Sequence, residues 1–419
     1  MATPKRPNFL FIITDQQAID TISANGCPYT RTPALDHLAN TGVSFLESHS
    51  ANPLCSPARS SFLTSRMTSE TGVVVNNRAI RSDIPNIGQW LGERGYETVY
   101  AGKWHLPQSF TPEMPGFNVI CTGLGGLGNL GDSAVSRACE GYLRNRRSKE
   151  PFLLVASFLQ PHDICQWVTM HQQPAQELPY PALAGELPPL PDNFGFDARE
   201  PKPVAKRPSR TWGWPDWHWR YYIWSYYRHV EMVDAEIGRV IQALEDSGQR
   251  ENTVVLLTAD HGEGMARHQM VTKNYLYESA LKVPLLFSSP GQIAEGVRDQ
   301  AHLVSGYDIV PTLCGYAGVE TPPRALGRSL RLWLEGREAD GHEFVAAEVT
   351  RTGRMIRTER HKYIMYHDDP VEQLFDMRAD PGETKNLAGD QAHAAALEEH
   401  RKLLRDFEAR LDVAPEAAG

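Results

Sequence analysis

Hydrophobic residues in this chain form short unbroken runs separated by longer periodic stretches. Four runs lack the alternation of a half-exposed strand, and they lie at 8–14 (NFLFIIT), 96–101 (YETVYA, the weakest), 152–158 (FLLVASF) and 253–259 (TVVLLTA). Such runs are typical of strands that a parallel sheet covers on both faces. Residues 221–247 instead repeat apolar positions at a helical period, and Gly248 ends that pattern. The alternation of strands and helices predicts an α/β fold built in layers.

Two other stretches differ from this pattern. Residues 174–215 hold ten of the 30 prolines, which predicts a long excursion over the surface and a candidate substrate wall. From about residue 343 the chain carries short strand patterns (EFVAAEV, GRMIRT, HKYIMY, EQLFDM) and then a charged helix at about 391–411. We therefore predict a main domain over 1–342 and a small α+β domain over 343–419.

The composition excludes several classes of protein. The 419 residues carry a net charge of -9, so the chain is not a polycation that would grip nucleic acid. No apolar run approaches the ~18 residues of a membrane span, and the N-terminal sequence does not resemble a signal peptide. As it stands the sequence predicts a cytoplasmic protein, or a periplasmic or secreted one if a leader was removed. Its six cysteines form no CxxC pair, which argues against a zinc ribbon or a thioredoxin-type motif.

Ionisable residues follow each of the four predicted strands. In chain order they are Asp15 after the first, Lys103 and His105 after the second, His162 after the third, and Asp260 and His261 after the fourth. The carboxyl ends of strands form the ligand crevice of open α/β sheets, so side chains that are distant in sequence can meet there. The sequence therefore predicts one polar site at this edge of the sheet.

The residue types at this edge indicate a metal and an anion. The pairs Asp15-Gln16 and Asp260-His261 suit a hard or borderline divalent cation such as Ca²⁺, Mg²⁺ or Mn²⁺. Lys103 and the later Lys273 are not metal ligands, but they add positive charge of the kind that holds sulfate or phosphate.

The stretch CSPAR at 55–59 adds a nucleophile. Pro57 suits the first turn of a helix, which leaves free backbone N–H groups beside Cys55. Arg59 lies four positions later, on the same helix face, so a thiol here should have a lowered pKa. A thiolate is nevertheless a poor partner for a hard cation, which selects oxygen ligands. The sequence therefore suggests that the sulfur of Cys55 is replaced by oxygen.

These residues resemble the sulfatase family, whose C-x-P-x-R signature marks a cysteine that is oxidised to formylglycine after translation. Further blocks resemble the family in its order: NFLFIITDQQ, GKWH, PHD, TADHGE, ESALKVPLLF and QLFDMRADPGETKNLA. The resemblance covers nearly the whole chain. It implies an alkaline-phosphatase-like α/β/α sandwich with a small C-terminal domain made of a short antiparallel sheet and a helix. It also implies a formylglycine-generating enzyme as a partner during maturation.

The resemblance assigns a role to each matching residue. It implies metal ligands at Asp15, Gln16, Asp260, His261 and the formylglycine formed from Cys55, with Arg59 holding that group and with Lys103, His105, His162 and Lys273 around the sulfate. Gln16 and His261 depart from the aspartate and asparagine of many sulfatases, toward choline sulfatases and phosphonate monoester hydrolases. Ca²⁺ is the first expectation for the metal, and Mn²⁺ or Mg²⁺ are the alternatives. Asn76 resembles an asparagine that contacts the nucleophile in that branch.

We therefore predict an enzyme that hydrolyses a sugar, aryl or small-alcohol sulfate. The hydrated aldehyde at position 55 would attack sulfur, His162 or Lys273 would protonate the leaving alcohol, and His105 would deprotonate the second hydroxyl to expel sulfate. His268 is a further candidate for substrate contact. Five of the nine tryptophans lie within 212–224, where they suit either a substrate wall or the anchoring of the next helix. A phosphonate monoester hydrolase or phosphodiesterase, and a noncatalytic binder of sulfated glycans, remain the alternatives.

Overall fold

A computed structural model describes residues 6–123, 125–173, 177–195, 197, 199–206, 211 and 213–415. Its strands are β1 Asn8–Asp15, β2 Gly42–Phe45, β3 Ser48–His49, β4 Glu97–Gly102, β5 Asn118–Cys121, β6 Phe152–Pro161, β7 Thr253–Ala259, β8 Leu285–Ser288, β9 Val297–Asp299, β10 Val304–Ser305, β11 Phe344–Val349, β12 Gly353–Thr358, β13 His361–Tyr366 and β14 Asp369–Asp376.

The α-helices are α1 Pro33–Asn40, α2 Cys55–Thr64, α3 Thr68–Thr71, α4 Ile87–Gly92, α5 Gly128–Asn145, α6 Ile164–Met170, α7 Lys202–Ala205, α8 Asp216–Asp246, α9 Glu278–Leu281, α10 Ile309–Ala317, α11 Arg331–Leu334 and α12 Ala394–Glu408. Short 3₁₀ segments lie at Ile19–Thr21, Ser23–Asn25, Pro181–Gly185, Arg250–Asn252, Arg267–Gln269, Gly306–Asp308 and Gln391–His393.

The main sheet has eight strands in the order β5-β4-β6-β1-β7-β8-β2-β9. The four apolar runs of the sequence form four adjacent strands in this sheet, β4, β6, β1 and β7, and all of them are parallel. Strand β8 runs antiparallel to β7 and to β2. Because the four parallel strands end at the same edge, the polar residues that follow them come together there.

Helices cover both faces of this sheet. On β1, Leu10 and Ile12 pack on one face into a buried cluster with residues of α1, α5 and α8. Phe9, Phe11 and Ile13 pack on the other face into a cluster with residues of α2, α4 and α10. Successive side chains of a strand point to opposite faces, so an unbroken apolar run is what a sheet between two helix layers requires. The predicted α/β/α sandwich is confirmed.

Helix α8 begins at Asp216, five residues before the predicted start, with Pro215 at its N-cap position. Its first turns carry an aromatic cluster in which Trp167 of α6 packs against Trp214 and Tyr222 at ring-centroid distances of 6.0 Å and 5.9 Å. Trp214 and Trp219 are buried, so they anchor this helix. The predicted substrate wall at 174–215 and the tryptophan cluster both include residues outside the described ranges, Trp212 among them.

The C-terminal part is a four-stranded antiparallel sheet in the order β11-β12-β13-β14. Helix α12 packs on this sheet, where Leu397 and Leu404 join a buried cluster with Ile356 and Tyr363. The predicted small α+β unit is therefore confirmed as architecture, whereas the domain boundary at 342/343 stays a prediction. Of the helices in the described ranges, none is both long and apolar enough to cross a bilayer.

Candidate active site

The site forms where β1 and β7 end side by side. Asp15 is the last residue of β1, and Asp260 follows β7, whose Ala259 is paired with Thr14. Arg59 of α2 bridges the two carboxylates, with Nη2 3.1 Å from Asp15 Oδ2 and Nε 3.0 Å from Asp260 Oδ2. All three side chains are buried. The two aspartates are thus close enough to bind the same ion.

Cys55 is the first residue of α2 and points toward these carboxylates. Its Sγ lies 3.7 Å from Asp15 Oδ1, 3.2 Å from His261 Nε2 and 3.4 Å from Lys273 Nζ. Burial and the Asp15 charge raise the pKa of the Cys55 thiol, but the positive charges of Lys103, Lys273 and His261 outweigh them and hold that pKa well below its usual range. The lowered pKa was predicted from the helix N-terminus and Arg59, whereas in the structure the charges of Lys103, Lys273 and His261 lower it.

The donor atoms at the site fit a divalent cation. One ligand atom from each of Asp15, Cys55, Asp260 and His261 lies within 4.8 Å of all the others. Burial and the nearby Asp15 charge raise the pKa of Asp260 to about 6, which shows how unfavourable two adjacent buried carboxylates are. A cation among these carboxylate oxygens and the imidazole nitrogen would relieve that repulsion.

Lysine side chains add positive charge around the thiol. Lys103 Nζ lies 2.6 Å from Asp15 Oδ2, and the side chain is buried. Gly102 makes this position possible: its φ is +105°, and a Cβ there would lie 1.8 Å from the Ser157 carbonyl oxygen. With Arg59 and Lys273, Lys103 gives three cations around two carboxylates, which favours an anionic substrate. We call Asp15, Cys55, Arg59, Lys103, Asp260, His261 and Lys273 the Cys55 cluster.

His105 lies beside the N-terminus of α2. Its Nε2 is 3.1 Å from Asn77 Oδ1, and its carbonyl oxygen accepts a 2.7 Å hydrogen bond from Ser56 Oγ. Burial lowers the pKa of His105, and an interaction with the Cys55 thiol opposes that effect. His105 is therefore neutral near pH 7 and able to accept a proton.

His162 follows β6 on a loop that α5 holds in place. Asp132 of α5 accepts the backbone N–H groups of Leu159 and Gln160 at 2.6 Å and 2.8 Å. Burial, and after it the Lys273 charge, lowers the pKa of His162 to about 3. The imidazole is therefore neutral at physiological pH, where it can donate or accept a hydrogen bond but holds no extra proton to give away.

Asn76 supports the N-terminus of α2. Its Oδ1 accepts the backbone N–H of Ser56 at 3.0 Å, next to Cys55 in the chain. The neighbouring Asn77 holds His105, a contact that no pattern in the sequence predicted.

Gln16 is fully buried beneath the site. Its Oε1 accepts a hydrogen bond from Lys273 Nζ, and its Nε2 donates to Glu263 Oε2. Cys165 Sγ lies 3.3 Å from both ends of the same amide. Cys165, Glu263 and Tyr222, which donates to Glu263, were not predicted as site residues. The only available signal was that Glu263 belongs to the TADHGE block.

His268 does not join the Cys55 cluster. Its ring stacks on Tyr277 with centroids 4.4 Å apart, and its backbone N–H donates to the Asn193 carbonyl at 2.8 Å. It lines a separate cavity of about 930 Å³ that also contacts residues 379–384. Its predicted substrate contact therefore stays a prediction.

A second group of charges, mostly buried, joins β3 and α9 to the C-terminal sheet. Lys362 Nζ lies 2.8 Å from Glu278 Oε1 and 2.7 Å from Glu383 Oε1. His49 Nε2 lies 3.1 Å from Glu278 Oε2. Ligand-type atoms of Glu47, His49 and Glu278 also meet within 4.8 Å. The Glu278 cluster, which the sequence analysis did not predict, consists of Glu47, His49, Glu278, Lys282, Arg357, Lys362 and Glu383.

Comparison with known proteins identifies the relatives of this chain. The profile of the family described as Sulfatase matches residues 7–319, and one described as N-sulphoglucosamine sulphohydrolase, C-terminal, matches residues 266–410. A Delta 4,5-hexuronate-2-O-sulfatase of Bacteroides thetaiotaomicron is 33% identical over 441 residues, covering 96% of this chain and 89% of the relative. A choline-sulfatase of Rhizobium meliloti is 27% identical, covering 97% and 88%.

Solved structures agree on the fold. A 2-O GAG sulfatase superposes with a TM-score of 0.88 at 30% identity, covering 99% of this chain and 96% of that one. A phosphonate monoester hydrolase of Agrobacterium radiobacter superposes with a TM-score of 0.81 at 23% identity, covering 97% and 96%. The second likeness carries the fold alone.

Proposed function

This chain belongs to the sulfatase family, and we propose that it removes sulfate from a sugar by means of a formylglycine formed from Cys55. The observation that carries this proposal is the meeting of Cys55 with metal-type ligands inside a shell of cations. A thiol in this position is buried and faces carboxylate oxygens, an arrangement better suited to a hydrated aldehyde than to sulfur.

The metal would be held by Asp15, Asp260, His261 and residue 55, and Gln16 Oε1 is a further candidate ligand. When bound, a divalent cation neutralises charge on sulfuryl oxygens and favours a deprotonated nucleophile. Metal analysis of the purified protein distinguishes Ca²⁺ from Mg²⁺ and Mn²⁺.

In the proposed reaction a hydroxyl of hydrated residue 55 loses its proton to solvent and attacks sulfur, and the bond from sulfur to the sugar oxygen breaks. Arg59 and Lys103 hold the sulfuryl oxygens as charge develops on them. The sugar oxygen leaves with the bonding electron pair and takes a proton. We assign that proton to Lys273, because the low pKa of His162 leaves it without one to donate. Burial lowers the pKa of Lys273, but nearby negative charges, Asp15 and Asp260 among them, raise it above its usual range, so Lys273 is protonated.

Release of sulfate needs a base near residue 55. His105 suits this role because burial keeps it neutral and because it interacts with the Cys55 side chain. It would remove the proton of the second hydroxyl, after which the carbonyl forms again and sulfate departs with the electrons of its bond to oxygen. The aldehyde is then ready for rehydration.

Relatives suggest which sugar carries the sulfate. The relative at 33% identity acts on Delta 4,5-hexuronate-2-O-sulfate by its name, and the structure at 30% identity is that of a 2-O GAG sulfatase. We therefore propose a 2-O-sulfated hexuronate, in a small fragment of a sulfated glycan, as the first substrate to test.

A substrate panel tests this proposal. Enzyme matured with a formylglycine-generating enzyme is given a 2-O-sulfated unsaturated hexuronate disaccharide, a 6-O-sulfated glucosamine, choline sulfate and 4-nitrophenyl sulfate, and sulfate release is measured. We expect kcat/KM to be highest for the hexuronate by at least ~10-fold, a difference worth about 1.4 kcal/mol of transition-state binding. A higher value for choline sulfate, or no sulfate release from any ester, would refute the assignment.

Phosphonate monoester hydrolysis is a second candidate, because Gln16 and His261 resemble the residues that phosphonate monoester hydrolases have at these two positions. A phenylphosphonate monoester in the same panel decides between them. Mass spectrometry of the peptide carrying residue 55 shows whether conversion to formylglycine has occurred; an unconverted chain that still binds sulfated glycans would instead support a binding protein.

A further inference from the structure

Glu263 is a fully buried carboxyl group that the proposed reaction does not use. It lies two residues after His261 and is 0% exposed. Across the described ranges, no lysine, arginine or histidine forms an ion pair with it. Burying a carboxylate is costly unless hydrogen-bond donors surround it, so the groups around Glu263 indicate what its burial achieves.

The two oxygens of Glu263 have different partners. Oε1 accepts hydrogen bonds from Tyr222 Oη, from the backbone N–H of Gly264 at 2.9 Å and from the backbone N–H of Thr272. Oε2 accepts one from Gln16 Nε2. Every partner is a hydrogen-bond donor, as expected for a carboxylate, whose oxygens only accept hydrogen bonds.

The contacts with Glu263 and Lys273 together decide which way the Gln16 amide points. With Nε2 directed at Glu263, Oε1 is directed at Lys273 in the Cys55 cluster. The two ends of an amide have nearly the same shape, so only hydrogen-bond partners distinguish them. Cys165 lies 3.3 Å from both ends and does not discriminate. If the amide were reversed, its NH₂ group would face the Lys273 ammonium and could not bind a cation.

We propose that Glu263 is a positioning residue that orients the Gln16 amide and thereby supplies an oxygen ligand to the metal. The Glu263 carboxylate also explains why position 16 holds a glutamine, because a carboxylate at that position would face Glu263 and be repelled. The inference rests on the metal site of the proposed function.

A reciprocal exchange tests the proposal. Glu263→Gln keeps an oxygen for the three donors at Oε1 and places an NH₂ group against Gln16, so it changes one contact. The full-length matured protein is stripped with a chelator and titrated calorimetrically with Ca²⁺, Mg²⁺ or Mn²⁺ alone. We expect Glu263→Gln to weaken the tightest ion by about 10- to 100-fold, as is usual for partners of metal ligands.

Adding Gln16→Glu separates orientation from charge. In the Glu263→Gln background the new carboxylate accepts a hydrogen bond from the amide introduced at position 263 and should regain most of the lost affinity. In the parent background Gln16→Glu faces Glu263 and should bring no gain. An equal gain in both backgrounds would mean that added negative charge alone strengthens binding, and would overturn the proposal.

Tyr222→Phe is the matched control, because it removes a donor from Oε1 and leaves the Gln16 contact in place. Its ion affinity should stay within about 3-fold of the parent, whereas Glu263→Gln should exceed that change by far.

If Glu263→Gln lowers only the unfolding temperature of the metal-free protein, Glu263 is merely structural and the proposal is wrong. If that variant does not fold, the double variant must fold, and failure of both would also overturn it. Hydrolysis plays no part in these titrations, so the proposed function is judged separately.

Discussion

The Cys55 cluster and the Glu278 cluster are both buried groups of carboxylates, histidine and basic side chains, but their charges are arranged differently. In the Glu278 cluster each carboxylate has a basic partner: Lys282 for Glu47, and Lys362 for both Glu278 and Glu383. In the Cys55 cluster Arg59 and Lys103 also neutralise carboxylates, but Lys273 adds a third cation beside a thiol whose pKa is lowered.

This difference teaches how to recognise a reactive site among buried charges. Ligand-type atoms within 4.8 Å occur in both clusters, so that spacing alone does not identify a metal site. The Glu278 cluster is internally neutralised, and it connects β3 and α9 to the C-terminal strand β13. The Cys55 cluster instead places cations around a thiol with a lowered pKa, and perturbed groups of this kind are typical of functional sites. We therefore expect substitutions in the Glu278 cluster to affect stability and substitutions in the Cys55 cluster to affect turnover.

The largest effect is expected at Cys55, whose formylglycine is the proposed nucleophile. Cys55→Ala should lower kcat on a sulfate ester by roughly 10⁶-fold, the scale seen when an enzyme loses its nucleophile. Urea unfolding should change little, because Arg59 and Lys103 still neutralise the buried Asp15 carboxylate. Sulfate release and unfolding curves measure the two effects.

Cys55→Ser sharpens this result. A serine has one hydroxyl, so it could accept the sulfuryl group but could not expel it through a carbonyl. Intact-protein mass spectrometry should detect a sulfated chain after incubation with substrate. Full activity in the alanine variant would contradict the proposed mechanism outright.

Two buried lysines provide a matched pair between the clusters. Lys103→Met should reduce kcat/KM by about 10²–10³-fold through lost charge stabilisation, while Arg59 still neutralises Asp15. Lys362→Met leaves Glu278 and Glu383 buried without their cation, and should cost about 3–5 kcal/mol of unfolding free energy.

The pair is compared by kcat/KM and by urea unfolding at one temperature. Opposite outcomes, with stability lost at Lys103 and turnover lost at Lys362 in the folded protein, would show that the two clusters do not divide these roles.

Acid should affect the Glu278 cluster through Glu278. Burial raises the pKa of this carboxyl, but the Lys362 and His49 charges hold it well below its usual range. Below pH ~4.3 the unfolded chain therefore binds a proton that the folded chain does not, and stability falls by up to about 1.4 kcal/mol per pH unit. Glu278→Gln should flatten this fall in unfolding curves between about pH 5 and 3.

Glu383 should behave in the opposite sense. Burial raises its pKa to about 7, with the Lys362 charge opposing, so the folded chain binds the extra proton and stability falls as pH rises from ~4.3 toward 7. Glu383→Gln should remove that second slope. Identical pH profiles for both variants would contradict the charge arrangement described here.

Sequence patterns predicted the Cys55 cluster and missed the Glu278 cluster for a physical reason. Asp15 and Asp260 follow long apolar strands that local pattern identifies, and parallel strands bring their ends together. Glu278 and Lys362 follow no such rule, because they meet where α9 packs on the C-terminal sheet. Long-range packing of this kind leaves no periodic signal in the sequence.

The same limit applies elsewhere in the molecule. The parallel strands β4, β6, β1 and β7 were predicted as apolar runs, whereas β2, β8 and β9 have only three or four residues each, too few for a pattern. Glu263 was visible as part of a family block, but its role depends on the orientation of one buried amide. The replacement of sulfur by oxygen at position 55 was suggested by chemistry, and its nature came from the family resemblance.

The smallest effect is expected at the edge of the Glu278 cluster. Lys282 Nζ lies 2.6 Å from Glu47 Oε1, but the two side chains are 19% and 24% exposed, and Arg357 lies 3.5 Å from the other oxygen of Glu47. Because water and Arg357 both stabilise the negative charge of Glu47, Lys282→Met should cost less than about 1 kcal/mol of unfolding free energy. Added salt should shrink even that difference, whereas it should leave the cost of Lys362→Met nearly unchanged. A loss of unfolding free energy at Lys282 as large as that at Lys362 would mean that burial does not set the strength of these ion pairs. The contrast between the two clusters would then have to rest on the Cys55 cluster alone.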